Sequence, residues 1–128
     1  MAYVLDTSAV MSLLRDEPGA EQVAAILEGD VLVALPFVAL MELRYALLRE
    51  LPQARVDYLL DMLVVSRVEI AESSREWGRR AAEVKSGGGL SLGDAWIAAL
   101  ALMRGAELVH KDPEFDRVAG LRAIKLAG

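Results

Sequence analysis

Five short apolar runs, at residues 2–6, 31–34, 68–70, 107–110 and 122–126, alternate with longer segments whose apolar residues recur at helical spacing. That alternation leaves few folds open. A short apolar run suits a buried strand, and a helix between successive runs carries the chain back so that the next strand lies parallel. The chain therefore reads as α/β, with a mostly parallel sheet of about five strands. Its punctuation agrees. Asp6-Thr7-Ser8 offers capping side chains ahead of residues 9–14, Glu17-Pro18-Gly19 breaks the pattern before a helix over 20–28, and Gly29-Asp30 turns into the second strand. Pro36 suits the first position of a helix running to about Glu50, and Pro52 closes it ahead of a helix over 53–64. Helices are expected over 73–86 and 91–104, separated by Gly87-Gly88-Gly89, with a short one over 113–118. No repeat or long linker divides the 128 residues, so a single domain is expected.

Hydrophobic residues make up 55% of the chain and the mean hydropathy is +0.34, enough to raise a membrane location. The spacing of charges argues against it. The longest uncharged stretch, Val31–Met41, has 11 residues and contains Pro36, whereas a spanning helix needs about 18 apolar residues in a row. The first residues lack both a basic segment and a small-residue cleavage site, and cysteine is absent, so a cytoplasmic protein is expected. The surplus of apolar residues points instead to a surface covered by partners.

Four acids stand alone in or beside these apolar stretches: Asp6 after Tyr3-Val4-Leu5, Glu42 after Val38-Ala39-Leu40-Met41, Asp94 before Ala95-Trp96, and Asp112 after Leu108-Val109-His110-Lys111. An ionised carboxylate beside buried apolar surface needs a partner. In open α/β sheets the carboxyl ends of the strands and the starts of the following helices share one edge, where ligands collect. Asp6 and Asp112 fall at or just beyond strand ends, Glu42 early in a helix after the second strand, and Asp94 in the first turn of a helix. Like charges about 4 Å apart cost roughly 1 kcal/mol in water and about 4 kcal/mol at an effective dielectric of 20. Four convergent carboxylates therefore call for a cation, and an all-oxygen set favours Mg²⁺ or Mn²⁺ over zinc. Such ions activate water and stabilise a leaving oxygen in phosphodiester hydrolysis.

The net charge of −5, from 19 acids and 14 Lys plus Arg, weighs against a nucleic-acid substrate, since nucleic-acid binders rely on basic patches. A metal that neutralises the pocket relaxes this objection, leaving side chains such as Arg15, Arg44, Arg80 and Lys111 for phosphate. Each acid alone also has a plainer use. Asp6 could only cap a helix, Asp94 stands three residues after Ser91 at capping-box spacing, and Asp112 before Pro113 reads as a turn residue. Asp116 and Glu114 could simply favour a helix start through its dipole. Glu42 resists such a reading, being the only charge between Val31 and Leu43. His110, without a second ligand at metal spacing, reads as a strand-end residue, and Trp96 and Phe115 as core.

Together these pieces resemble the PIN-domain ribonucleases, specifically the VapC-type toxins of toxin–antitoxin pairs. The matching segments are Val4-Leu5-Asp6-Thr7-Ser8, Pro36 through Glu42 to Leu47, Leu92-Gly93-Asp94-Ala95-Trp96-Ile97-Ala98-Ala99, and Leu108 through Asp112 to Phe115. The resemblance implies a three-layer α/β/α domain and an Mg²⁺- or Mn²⁺-dependent endoribonuclease that cuts RNA with a metal-activated water. It assigns Asp6, Glu42, Asp94 and Asp112 to the metal site, gives Thr7 or Ser8 a hydroxyl role there, and leaves Asp116 as a possible helper. It further implies a homodimer silenced by an antitoxin, with residues 36–49 and 53–65 as the contact region. One position departs from the pattern: His110 stands where the family commonly has Thr or Ser.

Two other functions share the same features. A phosphoacceptor signalling domain also combines an α/β fold, acids, Mg²⁺ and a lysine, here Lys111, but tends to pair acids at the first strand, where this chain has Thr7-Ser8. A binding module without catalysis would keep the fold and dispense with the acids, all four of which are present.

Overall fold

The computed structural model describes residues 2–128. The elements run β1 (Ala2–Leu5), α1 (Thr7–Leu14), α2 (Ala20–Glu28), β2 (Leu32–Pro36), α3 (Phe37–Leu48), α4 (Gln53–Val64), β3 (Glu69–Ala71), α5 (Arg75–Ser86), α6 (Leu92–Arg104), β4 (Glu107–His110), a 3₁₀ helix (Pro113–Arg117) and β5 (Arg122–Lys125). The strands form one sheet in the order β3-β2-β1-β4-β5, and all four pairings are parallel.

β1 lies at the centre because it is apolar throughout, with Val4 and Leu5 buried. The chain builds outward from it on one side through β2 and β3, then returns to its other side for β4 and β5. Right-handed crossovers put the helices of those two halves on opposite faces of the sheet, giving three layers. The order reverses between β1 and β4, so the crevice beyond their carboxyl ends is where such a sheet binds ligands.

Elements fall close to their expected places, with small shifts that have local causes. Pro36 is the last residue of β2 rather than the first of the helix; with φ −61° and ψ 144° it sits in extended backbone and caps α3. A strand end tolerates it because the missing N–H removes only a terminal ladder bond. α5 and α6 start one residue inside their serine caps, where Ser74 Oγ accepts from the Trp77 N–H and Ser91 Oγ from the Asp94 N–H. The short helix expected over 113–118 is the 3₁₀ helix Pro113–Arg117, capped by Asp112. Trp77, Trp96 and Phe37 meet edge to face, with ring centroids 5.0 to 5.4 Å apart, and the Trp77 indole N–H donates to the Trp96 carbonyl at 2.8 Å. This cluster ties α5 to α6 and to the start of α3. No helix among the described residues is long and apolar enough to cross a membrane.

Candidate metal centre

Asp6 is the residue after β1 and caps α1: its Oδ2 accepts the Ser8 backbone N–H at 3.1 Å and the Ser8 hydroxyl. The same Ser8 Oγ accepts the Lys111 N–H at 3.0 Å, so one hydroxyl links the end of β1 to the segment leaving β4. Capping and site membership are compatible here. Asp6 is only 4% exposed, and burial, outweighing its bonds to Ser8, pushes its carboxyl up to about 6.

Glu42 projects from the middle of α3, later in that helix than its strand suggested. Its Oε1 accepts the Thr7 hydroxyl at 2.6 Å, and the backbone of Gly93 at the start of α6 lies against its Oε2. Both hydroxyls named from the sequence touch one of the expected acids: Ser8 donates to Asp6 and Thr7 to Glu42.

Asp94 and Asp112 lie close together. One ligand oxygen from each, with one from Glu114, lie within 4.8 Å of one another. Burial, followed by the charges of Asp6, Asp112 and Glu42, pushes the Asp94 carboxyl up to about 7. That is the behaviour of a carboxyl taken partly out of water and set near other acids. The four expected acids thus act on one another, but Asp6 and Glu42 belong to no group of three or more meeting the same 4.8 Å limit among the described residues. Each has one oxygen engaged by a hydroxyl donor, Asp6 by Ser8 and Glu42 by Thr7.

Glu114 has no place in the sequence-based set. Its signal was present in Asp112-Pro113-Glu114, because Pro113 starts a tight turn in which Asp112 Oδ1 accepts the Glu114 N–H at 2.9 Å, folding Glu114 back beside Asp112. Asp116, the proposed helper, instead faces Lys125 at 3.5 Å. His110 is fully buried against Phe115, ring centroids 4.9 Å apart. Neither ring nitrogen has a hydrogen-bond partner among the described residues. Burial holds its imidazole below the ordinary value against the pull of Asp116, so it packs as a neutral ring.

The donor set fits a hard divalent cation. It offers oxygen alone, several carboxylates have oxygens left free, and a bound cation would relieve their mutual repulsion. Lys111 supplies none of it: its Nζ lies 3.9 Å from Glu17.

Comparison with known proteins places the arrangement in context. The family model for the PIN domain matches residues 3–121. Solved structures similar to the chain include VapBC2 from Rickettsia felis bound to a promoter DNA fragment, at 21% identity and TM-score 0.82, covering 99% of this chain and 100% of that one. DNA-bound VapBC from Salmonella typhimurium matches at 21% identity and TM-score 0.82, covering 98% of each chain. VapC20 from Mycobacterium tuberculosis, described as a Sarcin-Ricin loop cleaving toxin, matches at 17% identity and TM-score 0.79, covering 97% of this chain and 99% of that one. At these identities the likeness is one of fold. No curated protein matches the sequence.

Proposed function

The chain belongs to the PIN domain family, and from that premise we propose that it is a metal-dependent endoribonuclease acting as the toxin of a toxin–antitoxin pair. The observation that supports the reading is that Asp94, Asp112 and Glu114 offer oxygens within 4.8 Å of one another, while the charges of Asp6 and Glu42, from two further segments, also act on Asp94. Asp6, Glu42, Asp94 and Asp112, joined by Glu114, would hold the ion. When bound, Mg²⁺ or Mn²⁺ supplies neutralising charge, a more acidic water and an electrophilic contact for a phosphoryl oxygen. Ser8 and Thr7 fix the carboxylates they touch, and the burial of Asp6 keeps bulk water from that side. Arg117, with Gly87 and Gly88, lines a cleft of about 430 Å³ where Arg80 is paired with Glu83 at 3.8 Å, and Arg117 would receive a phosphate of the RNA backbone.

Partner binding is supported by a second surface. Met41, Tyr45 and Leu48 on α3, and Tyr58 and Met62 on α4, are each 45–59% exposed, and a cleft of about 410 Å³ opens between the two helices. Exposed apolar side chains grouped on neighbouring helices mark an interface, proposed here for a second copy and for an antitoxin; the structural neighbours are VapBC complexes.

A phosphoacceptor role is disfavoured, because Asp6 is buried with an oxygen bound to Ser8 and Lys111 is turned to Glu17. The deciding experiment is cleavage of single-stranded RNA, with DNA as a control, by purified protein in Mg²⁺ or Mn²⁺ with and without chelator. Cutting by Asp6→Asn and Asp94→Asn variants at the wild-type rate would reject the site.

A further inference from the structure

Gly93 is the second residue of α6 and the neighbour of Asp94. A methyl group placed on it would stand 2.7 Å from Glu42 Oε2, 3.4 Å from Cδ and 3.9 Å from Oε1. Real side chains do not approach so closely, so the Glu42 carboxylate occupies the space that any other residue at 93 would fill. On its far side, Glu42 Oε1 accepts the Thr7 hydroxyl at 2.6 Å. The carboxylate is held between the first residue of α1 and the second of α6, and retreating from position 93 means moving it off the Thr7 hydroxyl.

Backbone strain is not what calls for glycine here. Gly93 lies in regular helix, and unlike Gly88 and Gly89 its φ is negative. Alanine is the better helix former, so the helix itself would welcome it. The obstructing atoms, moreover, are the end of a flexible side chain, which can swing aside without disturbing the core. A substitution at 93 therefore trades one property for another: the fold is spared, and the direction of Glu42 changes.

We propose that Gly93 is a positioning residue, whose missing side chain forms the seat that aims the Glu42 carboxylate at the metal site. The inference rests on the reading of the acids as a metal site. It identifies a residue that touches neither ion nor substrate and yet sets the affinity for the ion through the one acid contributed by α3.

The test is a double-mutant cycle on the full chain, with Mn²⁺ affinity measured by calorimetry and thermal melting in chelator as the fold control. Gly93→Ala should weaken Mn²⁺ binding by about 10-fold or more, the scale on which partners that orient ligands act, while melting in chelator stays at or above the wild-type temperature. In a Glu42→Asp background, where the carboxylate is one methylene shorter, the same substitution should change affinity by less than about 2-fold, because coupled sites are not additive. Equal losses in both backgrounds, or none in either, would overturn the inference. So would loss of cooperative melting in Gly93→Ala, since the contact would then be structural. A wild-type protein that binds no Mn²⁺ would defeat the metal-site reading beneath it, a different failure from an unaltered Gly93→Ala.

Discussion

Thr7 donates its hydroxyl to Glu42 Oε1 at 2.6 Å, joining residues 35 positions apart. The bond ties the start of α1 to the middle of α3 and leaves the second oxygen of Glu42 beside Gly93. Thr7→Val keeps the shape and removes the donor. Mn²⁺ affinity should fall by about 10-fold, with a stability loss of only about 1 kcal/mol because the site is half-open to water that can replace the bond. Calorimetric titration beside urea unfolding checks both halves.

Asp94 is crowded by three other acids. Asp94→Asn should abolish RNA cleavage and yet stabilise the metal-free protein, by on the order of 1–2 kcal/mol after allowance for solvent screening. For a domain of this size that is a rise of a few degrees in melting temperature. A metal-free variant that melts lower than wild type would contradict the crowding.

The pH dependence of metal-free stability follows from the two raised carboxyls. Asp6 moves from 3.8 to about 6 and Asp94 from 3.8 to about 7. Between those limits the folded state holds protons that the unfolded state has released, so stability falls as pH rises. The metal-free protein should lose melting temperature from about pH 4 to pH 7 as far as these groups are concerned. Glu69, held low by Arg104, and His110, held low by burial, act the other way inside that window, Glu69 at its acid end and His110 as pH rises toward 6.5, so they reduce the slope. Saturating Mn²⁺ should flatten or reverse the slope, because the ion binds the ionised forms. Melting at several pH values, with chelator and with Mn²⁺, decides it.

The indole N–H of Trp77 is matched to the Trp96 carbonyl inside the aromatic cluster. Trp77→Phe deletes the donor and part of the ring, and should cost about 2–4 kcal/mol in urea unfolding. A cost below 1 kcal/mol would show that α5 and α6 are held elsewhere.

The exposed apolar residues of α3 and α4 form the proposed contact face. Met41→Glu combined with Met62→Lys should weaken self-association by at least about 10-fold, as loss of central interface residues does. Sedimentation at several concentrations reports it, and RNA cleavage by any remaining monomer tests whether the face and the acids are separable.

Much of this was written locally in the sequence. Asp6, Asp94 and Asp112 announce themselves because each ends a strand or opens a helix, and those junctions share one edge of a parallel sheet. Ser91 and Asp94 stand at cap spacing, and the cap does form, through the backbone of Asp94 rather than at the expense of its carboxyl. What the sequence left open is what depends on contact between distant segments. Glu114 carried a local signal in the turn at Pro113 that sends it back to Asp112, but what removes Asp116 is distant: β5 supplies Lys125 for it. His110 gave no sign that it would be sealed against Phe115 with both nitrogens unmatched. The closeness of Gly93 to Glu42 is likewise a property of how α6 meets α3.

The Ser8 hydroxyl reaches the Lys111 amide across 103 residues, and β4 must lie beside β1 before it can do so. During synthesis, then, the first and last acids remain strangers until most of the polypeptide has emerged. A half-made copy carries the blade in separate pieces, and only closing the centre of the sheet sharpens it.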